Sequence, residues 1–230
     1  MLYSILDKFL MNDFSDAINN NLNKDKEKIT VFDIGCFQGN FSRKLKKKLN
    51  SSKVDFYLFD PNTKLKIPDF DYHKFAFSNK KETTTYYLND FFPASGSSLK
   101  TIIKNDRLWN FTRRLVTLNF KKSFSEHKVK TETLDNFCNI NNIKEIDILK
   151  IDAEGAELDI LIGGKEILKN TNIIQVEILG LKSDFNENYS KVCSLLENEY
   201  NFEMKIKKNI WSLSQLSSMR ACDLLFVKKN

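Results

Sequence analysis

Histidine, proline and glycine are scarce in this 230-residue sequence, which has two, three and seven of them. So few Pro and Gly leave no room for a flexible linker or a long low-complexity tract. A histidine base could only be His73 or His127. The four cysteines, Cys36, Cys138, Cys193 and Cys222, are widely scattered. They match neither a metal spacing nor a dense disulfide framework, so free thiols in a reducing cytoplasmic setting are expected. No apolar run approaches a membrane span, and no basic region followed by an apolar core opens the sequence.

What is present suits one large domain with a real core: 41% hydrophobic and 29% charged residues. The charge is uneven. Between Lys100 and Lys130 there are nine Lys or Arg against two acids, a greater excess than the +6 of the whole chain. The same stretch carries Trp109, Phe111, Phe120 and Phe124. A solvated surface explains it blandly; attraction of an anionic partner explains it more sharply.

Apolar residues at helical spacing over 3–20 predict an N-terminal helical segment, taken as 1–28. From 29 onward strands and helices alternate. Strands are expected at 29–35, 54–60, 73–78, 84–88, 146–152, 173–178, 202–206 and 223–227. Helices are expected at 40–49, 133–141, 157–170 and 187–199, with Thr131 or Thr133 as a possible N-cap for the second. Alternation implies a mostly parallel sheet covered on both faces. The last two strands lack a crossover helix and read as an antiparallel pair at one edge. A basic, aromatic insert at about 91–130 interrupts the pattern.

In such sheets ligands lie outside the carboxyl ends of the central strands. The first strand ends in Asp33-Ile-Gly35-Cys-Phe-Gln-Gly39. Its glycines permit close backbone approach, but the spacing is not that of a dinucleotide loop and the acid would repel phosphate. The second strand ends in Asp60, 21 residues after Gly39. An acid there can accept hydrogen bonds from ribose hydroxyls. Ser78 and Asn79 follow the third strand and suit an adenine edge.

In order along the chain, VFDIGCFQGNFS (31–42), LFDPN (58–62), KFAFSN (74–79), SGSSL (95–99), TETLDNF (131–137), IDILKIDAEGAELDILIGG (146–164) and IIQVEI (173–178) resemble the FkbM family of S-adenosylmethionine-dependent methyltransferases. The resemblance covers roughly 29–180. It implies a class I methyltransferase, Rossmann-like α/β fold over 29–230, with a seven-stranded, mostly parallel sheet and an antiparallel C-terminal edge strand. It implies S-adenosylmethionine as cofactor and O-methylation of a sugar, glycan precursor or related metabolite. Asp33, Gly35, Gly39, Asp60, Ser78 and Asn79 match the family's cofactor positions, with Asp60 where Glu is usual. One departure is the eight-residue connection 63–70, where the family commonly has a helix; a loop is expected here. That opens one sheet face and makes a homo-oligomer plausible. Nucleic acid as acceptor, drawn to the basic insert, and a non-catalytic assembly role are the alternatives.

Methyl transfer is an in-line displacement, and a hydroxyl acceptor must also lose a proton. Asp152 at a strand end is the first candidate for substrate contact or base, and Glu177 the second. Lys150 shares a strand face with Asp152 and would lower its pKa, favouring orientation over proton abstraction. Glu154 and Glu157 are expected in the first turn of the next helix, with Glu154 also a candidate for substrate contact. Arg113, Arg114 and His127 of the insert are further substrate-side candidates. Asp152 and Glu177 could hold a divalent cation, but no spacing demands one and none is assigned.

Overall fold

The computed structural model describes residues 14–23, 26–49, 53–90, 97–100, 124–209 and 219–229. Helix α1 (Ser15–Asn21) precedes β1 (Ile29–Ile34), α2 (Asn40–Leu49) and β2 (Val54–Phe59). Three short strands follow: β3 (Asp71–His73), β4 (Ala76–Phe77) and β5 (Thr83–Asn89). Then come β6 (Phe124–Glu132), α3 (Leu134–Ile140), β7 (Ile146–Ile151) and α4 (Glu157–Ile162). After β8 (Thr171–Leu181), α5 (Phe185–Ser194) leads to β9 (Phe202–Asn209) and β10 (Met219–Lys228).

The main sheet has the order β3-β2-β1-β7-β8-β10-β9. Pairing is parallel from β3 through β8, and β10 runs antiparallel to both neighbours. The antiparallel C-terminal strand therefore lies one place inside the sheet's end, and β9 is the outermost strand. Composition explains the difference. Strand β9 carries Lys205, Lys207 and Lys208, charges that discourage edge-to-edge pairing, whereas Cys222 to Phe226 of β10 are all buried.

All six residues of β7 are buried, as a central strand covered on both faces requires. One face packs Phe32, Leu149, Ile151, Ile174, Val176 and Leu224 against residues of α3, α4 and α5. The other packs Val31, Leu58, Ile148, Ile173 and Leu225 with Phe14, which precedes α1, and with Ile18 and Leu45 from α1 and α2. Thr133 caps α3, its hydroxyl accepting from the Asn136 N–H at 3.2 Å.

Several elements differ from expectation. The strand expected at 73–78 is divided: β3 joins the main sheet and β4 joins a second, three-stranded sheet ordered β4-β6-β5. The strand expected at 84–88 also belongs to that second sheet. Its partner β6 accounts for 124–130 of the expected insert. The helix expected at 157–170 stops at Ile162, and a 3-10 turn covers Ile167–Asn170. Gly163 lies so close to Ser78 that a β-carbon on it would stand 2.3 Å from the Ser78 carbonyl oxygen, so any side chain there would collide. As expected, no helix joins β2 to β3. Instead the Tyr72 hydroxyl shares its one proton between the carbonyls of Asn62 (2.9 Å) and Asp60 (3.1 Å), closing the loop.

At the amino ends of the strands, the buried Asp147 accepts from Lys26 Nζ (2.6 Å), the Thr30 N–H (2.8 Å) and Asn172 Nδ2 (3.1 Å). These groups satisfy one another and fasten the chain before β1 to β7. The opposite end of the sheet is different.

Candidate functional site

At the carboxyl ends, the polar side chains form two rows on the face that packs α2. In the first row Asp33 pairs with Lys150, and Lys150 with Gln175. Asp33 is fully buried. It accepts from Ser42 Oγ at 2.7 Å, and its Oδ1 lies 3.3 Å from Lys150 Nζ. That contact is an ion pair without hydrogen-bond geometry, so Oδ1 has no hydrogen bond. Asp33 thus acts behind the glycine loop, tying α2 to β7.

Lys150 is buried beside the Phe41 ring, 5.7 Å from its centroid. Its second carboxylate is Asp152 Oδ2, at 3.2 Å. Burial alone would push the ammonium's pKa down, but Asp152 and Asp33 outweigh it and hold it above the ordinary range.

The second row begins at Asp152, which follows β7. The register Ile151 to Val176 sets it beside Glu177, and Glu177 pairs with Asp223 of β10. Burial raises the Asp152 pKa, yet Lys150 and a hydrogen bond with Glu177 bring it below the usual carboxylate value. Glu177 goes the other way. Burial and the Asp152 charge push it well above its ordinary range. The two carboxyl groups are therefore coupled, with ionisation favoured at Asp152 and disfavoured at Glu177. About a quarter of the Asp152 side chain is exposed, and Glu177 is also part-exposed.

The loop of Gly35 and Gly39 packs against this row. Gly35 has φ +72°, and a β-carbon there would lie 1.7 Å from the Asp152 carbonyl oxygen. Gly39 has φ +74° and packs on Leu58 and Ile67. Between them Phe37 also has a positive φ, 45°. Asp60 secures that strained residue: its Oδ2 accepts from the Phe37 N–H at 3.0 Å, and its Oδ1 from the Asn62 N–H at 2.9 Å. Burial pushes the Asp60 pKa up to about 6, against the opposing effect of those two N–H groups. Each oxygen keeps one lone pair beyond these backbone bonds.

Glu154 does not start the helix. It sits in the preceding loop with φ 53°, close enough to Glu177 to help raise it. Glu157 is the first residue of α4. Its Oε1 accepts from the N–H groups of Gly155 (2.8 Å) and Ala153 (3.2 Å), which fixes the loop after Asp152. Burial pushes it up to about 7 despite those bonds.

The remaining candidates lie away from this row. Asn79 Nδ2 donates to Asp159 Oδ1 of α4 at 3.3 Å, and Ser78 packs on Gly163. His127, opposite Tyr86 in the second sheet, has Nε2 2.9 Å from Ser125 Oγ. Ser125 donates its one proton to Asp90 at 2.8 Å, so His127 Nε2 is the donor to Ser125. Arg113 and Arg114 lie outside the described residues. At the described ends of the basic stretch, Lys100 pairs with Asp159 and Lys128 donates to Thr85 Oγ1.

Sequence reasoning missed Gln175 and Asp223. Each is a polar residue inside an apolar strand run, which was the available signal. It also missed Ser98, whose hydroxyl donates to the Ala153 carbonyl at 3.3 Å and joins the second sheet to the site. Among the described residues no cluster of His, Cys, Asp or Glu is arranged for a metal ion, and no helix is long and apolar enough to cross a membrane.

Residues 33–204 match the family model described as the methyltransferase FkbM domain. A segment of 49 residues is 41% identical to the 2-O-methyltransferase NoeI of Sinorhizobium fredii (strain NBRC 101917 / NGR234), covering 21% of this chain and 20% of that protein. The match thus spans a fifth of the curated relative's length. Among solved structures, methyltransferase FkbM from Methylobacillus flagellatus KT is similar with a TM-score of 0.48 and 9% identity, over 87% of this chain and 44% of that one. TrmK of M. capricolum, in complex with S-adenosyl-homocysteine, gives 0.44 and 13%, over 96% and 70%.

Proposed function

The chain belongs to the FkbM methyltransferase family, and from that premise we propose that it methylates a hydroxyl oxygen of a sugar, glycan precursor or related metabolite with S-adenosylmethionine as donor. One observation carries the reading: Asp152, part-exposed and hydrogen-bonded to Lys150, stands at the carboxyl end of β7 against the Gly35 turn. The short similarity to a 2-O-methyltransferase supports oxygen as the acceptor atom.

The charge of the strand ends fits this donor. Asp33, Asp60 and Asp152 face a single Lys150, an excess that suits a sulfonium or ammonium and disfavours phosphate. The donor would lie along the Gly35–Gly39 loop, with its ribose hydroxyls on the remaining lone pairs of Asp60. Ser78 and Asn79 are proposed for the adenine side. When bound, the sulfonium supplies a methyl group that is already electrophilic.

The chain's own work is to align the acceptor oxygen and to take its proton. Alignment alone can be worth about 7–11 kcal/mol. Asp152 accepts the hydroxyl proton as the new oxygen–carbon bond forms. Lys150 keeps Asp152 ionised and fixed, which makes it a strong orienter and a modest base.

Calorimetry with S-adenosylhomocysteine tests the donor site. Saturable binding is expected, weakened at least about tenfold in Asp60→Ala through loss of charge-assisted hydrogen bonds. Wild-type protein that binds no donor would sink the proposal.

A further inference from the structure

Ion pairs are not spread evenly over the two faces of the main sheet. On one face Lys191 of α5 pairs with Glu187, and Lys169 of the 3-10 turn pairs with Glu166. On the other face α2 contains no acid, and its last turn carries Lys46, Lys47 and Lys48. Ser42 and Leu45 turn inward and are buried. Lys44, Lys46 and Lys47 are left exposed on the outer arc of the helix.

The connection between β2 and β3 extends this charge. Its Ile67 and Phe70 pack on Gly39 at the start of α2, and its Asp69 pairs with Arg43 at 3.1 Å. Arg43 and Lys46 stand over the Phe70 ring, 5.9 and 5.4 Å from its centroid. Lys64 and Lys66 are exposed on the same connection, and Lys74 Nζ reaches back to the Thr63 carbonyl at 3.4 Å. Among the described residues, Lys44, Lys46, Lys47, Lys64, Lys66 and Lys74 have no ion pair, and Asp69 is taken by Arg43. The result is a continuous surface of cations without counter-charges.

We propose that this surface, formed by α2 and the 63–70 connection, binds an anionic lipid bilayer. Clusters of about four to eight lysines on an amphipathic helix suit anionic headgroups, and the attraction builds up charge by charge. The patch is polar. The exposed large apolar residues among those described, Ile140 and Ile162, belong to α3 and α4 on the opposite face. The chain would therefore rest on the headgroups, held by charge, with no apolar wedge inserted. Nucleic acid fits less well. All six unpaired cations are lysines, point charges without the planar fork that reads phosphate and guanine. The aromatic ring at the patch, Phe70, is occupied by Arg43 and Lys46 where a base would stack. The surface borders the Gly39 end of the glycine loop, so the cleft of the proposed methyltransferase would open near the headgroups. Lipid binding itself does not depend on that activity.

Cosedimentation of the full chain with vesicles tests the proposal. Phosphatidylcholine vesicles with about one-third phosphatidylglycerol should carry the protein down at low salt, and pure phosphatidylcholine should not. Raising salt to about 0.5 M, where the screening length falls to about 4 Å, should release it. Lys44→Gln/Lys47→Gln and Lys64→Gln/Lys66→Gln should each lower the partition coefficient about 25-fold, at about fivefold per lysine. Lys165→Gln/Lys182→Gln, exposed lysines outside the patch, should leave it unchanged. Circular dichroism melts matching wild type should show every variant folded. Equal binding to both kinds of vesicle, unchanged partitioning in both patch variants, or an equal loss in the control pair overturns the proposal. Anionic vesicles left unbound overturn it as well, and a duplex DNA gel shift lost in the patch variants would then assign the surface to nucleic acid.

Discussion

Lys150 Nζ lies 3.2 Å from Asp152 Oδ2 and 3.3 Å from Asp33 Oδ1, so one buried ammonium joins the ends of β1 and β7. The donor loop begins two residues after Asp33, and the proposed acceptor contact is Asp152. The cation therefore holds both halves of the site in register.

Lys150→Met leaves two carboxylates facing each other without compensation. Removing one partner of a buried pair costs about 3–5 kcal/mol. Urea denaturation at pH 7 should show a loss of that size. The loss should shrink in Lys150→Met/Asp33→Asn, because the second change removes one of the stranded charges.

Asp152→Asn keeps the shape of the side chain and removes the base. A fall in kcat of about 10²–10⁴ is expected, with donor affinity by calorimetry near wild type. Glu177→Gln acts differently. It removes a group that titrates above the ordinary carboxylate range, so the pH–rate profile should lose the inflection belonging to the second proton of the pair. An unchanged profile would place that inflection elsewhere.

Glu157 makes stability depend on pH. Its folded-state pKa, about 7, exceeds the ordinary 4.5. Between those values the unfolded chain has released the proton and the folded chain keeps it, so stability falls as pH rises through the window. At roughly 1.4 kcal/mol per pH unit, the loss reaches about 3 kcal/mol. Asp60 adds a slope of the same sign between 3.8 and about 6. Glu157→Gln retains an acceptor for the Gly155 and Ala153 N–H groups but cannot ionise. The difference in melting temperature between variant and wild type should therefore move in the variant's favour from pH 5 to pH 7.5.

The two loop glycines should respond unequally. Gly35→Ala adds a β-carbon 1.7 Å from the Asp152 carbonyl oxygen, at φ +72°. Backbone cannot give way there, and no stably folded protein is expected. Gly39→Ala meets Leu58 Cδ2 at 3.0 Å, the end of a flexible side chain. Its cost should be about 1–2 kcal/mol, from the left-handed conformation. Circular dichroism melts decide between equal and unequal effects.

Much of the fold was legible in the sequence because local pattern and global position agree. The short, β-branched run Ile146 to Ile151 reads as a buried strand, and Thr133 announces its helix through its cap. The second sheet was not legible. Residues 73–78 read as one strand, yet β3 and β4 part for different sheets. Only long-range pairing with β6 decides that. Glu154 likewise read as a helical acid, because sequence proximity to Glu157 does not reveal a backbone at φ 53°.

By itself, the sequence determined the alternating α/β order, the glycine turn after β1 and the presence of acids at the strand ends, since each follows from residue type and spacing. It also determined that Lys150 and Asp152 share a face, because a strand has a period of two. Tertiary structure alone decided what those acids do to one another. Asp33 and Asp152 are 119 residues apart and meet on one lysine. Asp152 and Glu177 are coupled because β8 lies beside β7, and Asp223 joins them because β10 inserts next to β8 and not at the sheet's edge. Burial and strand neighbours set those charges, and neither is written in a local run of residues.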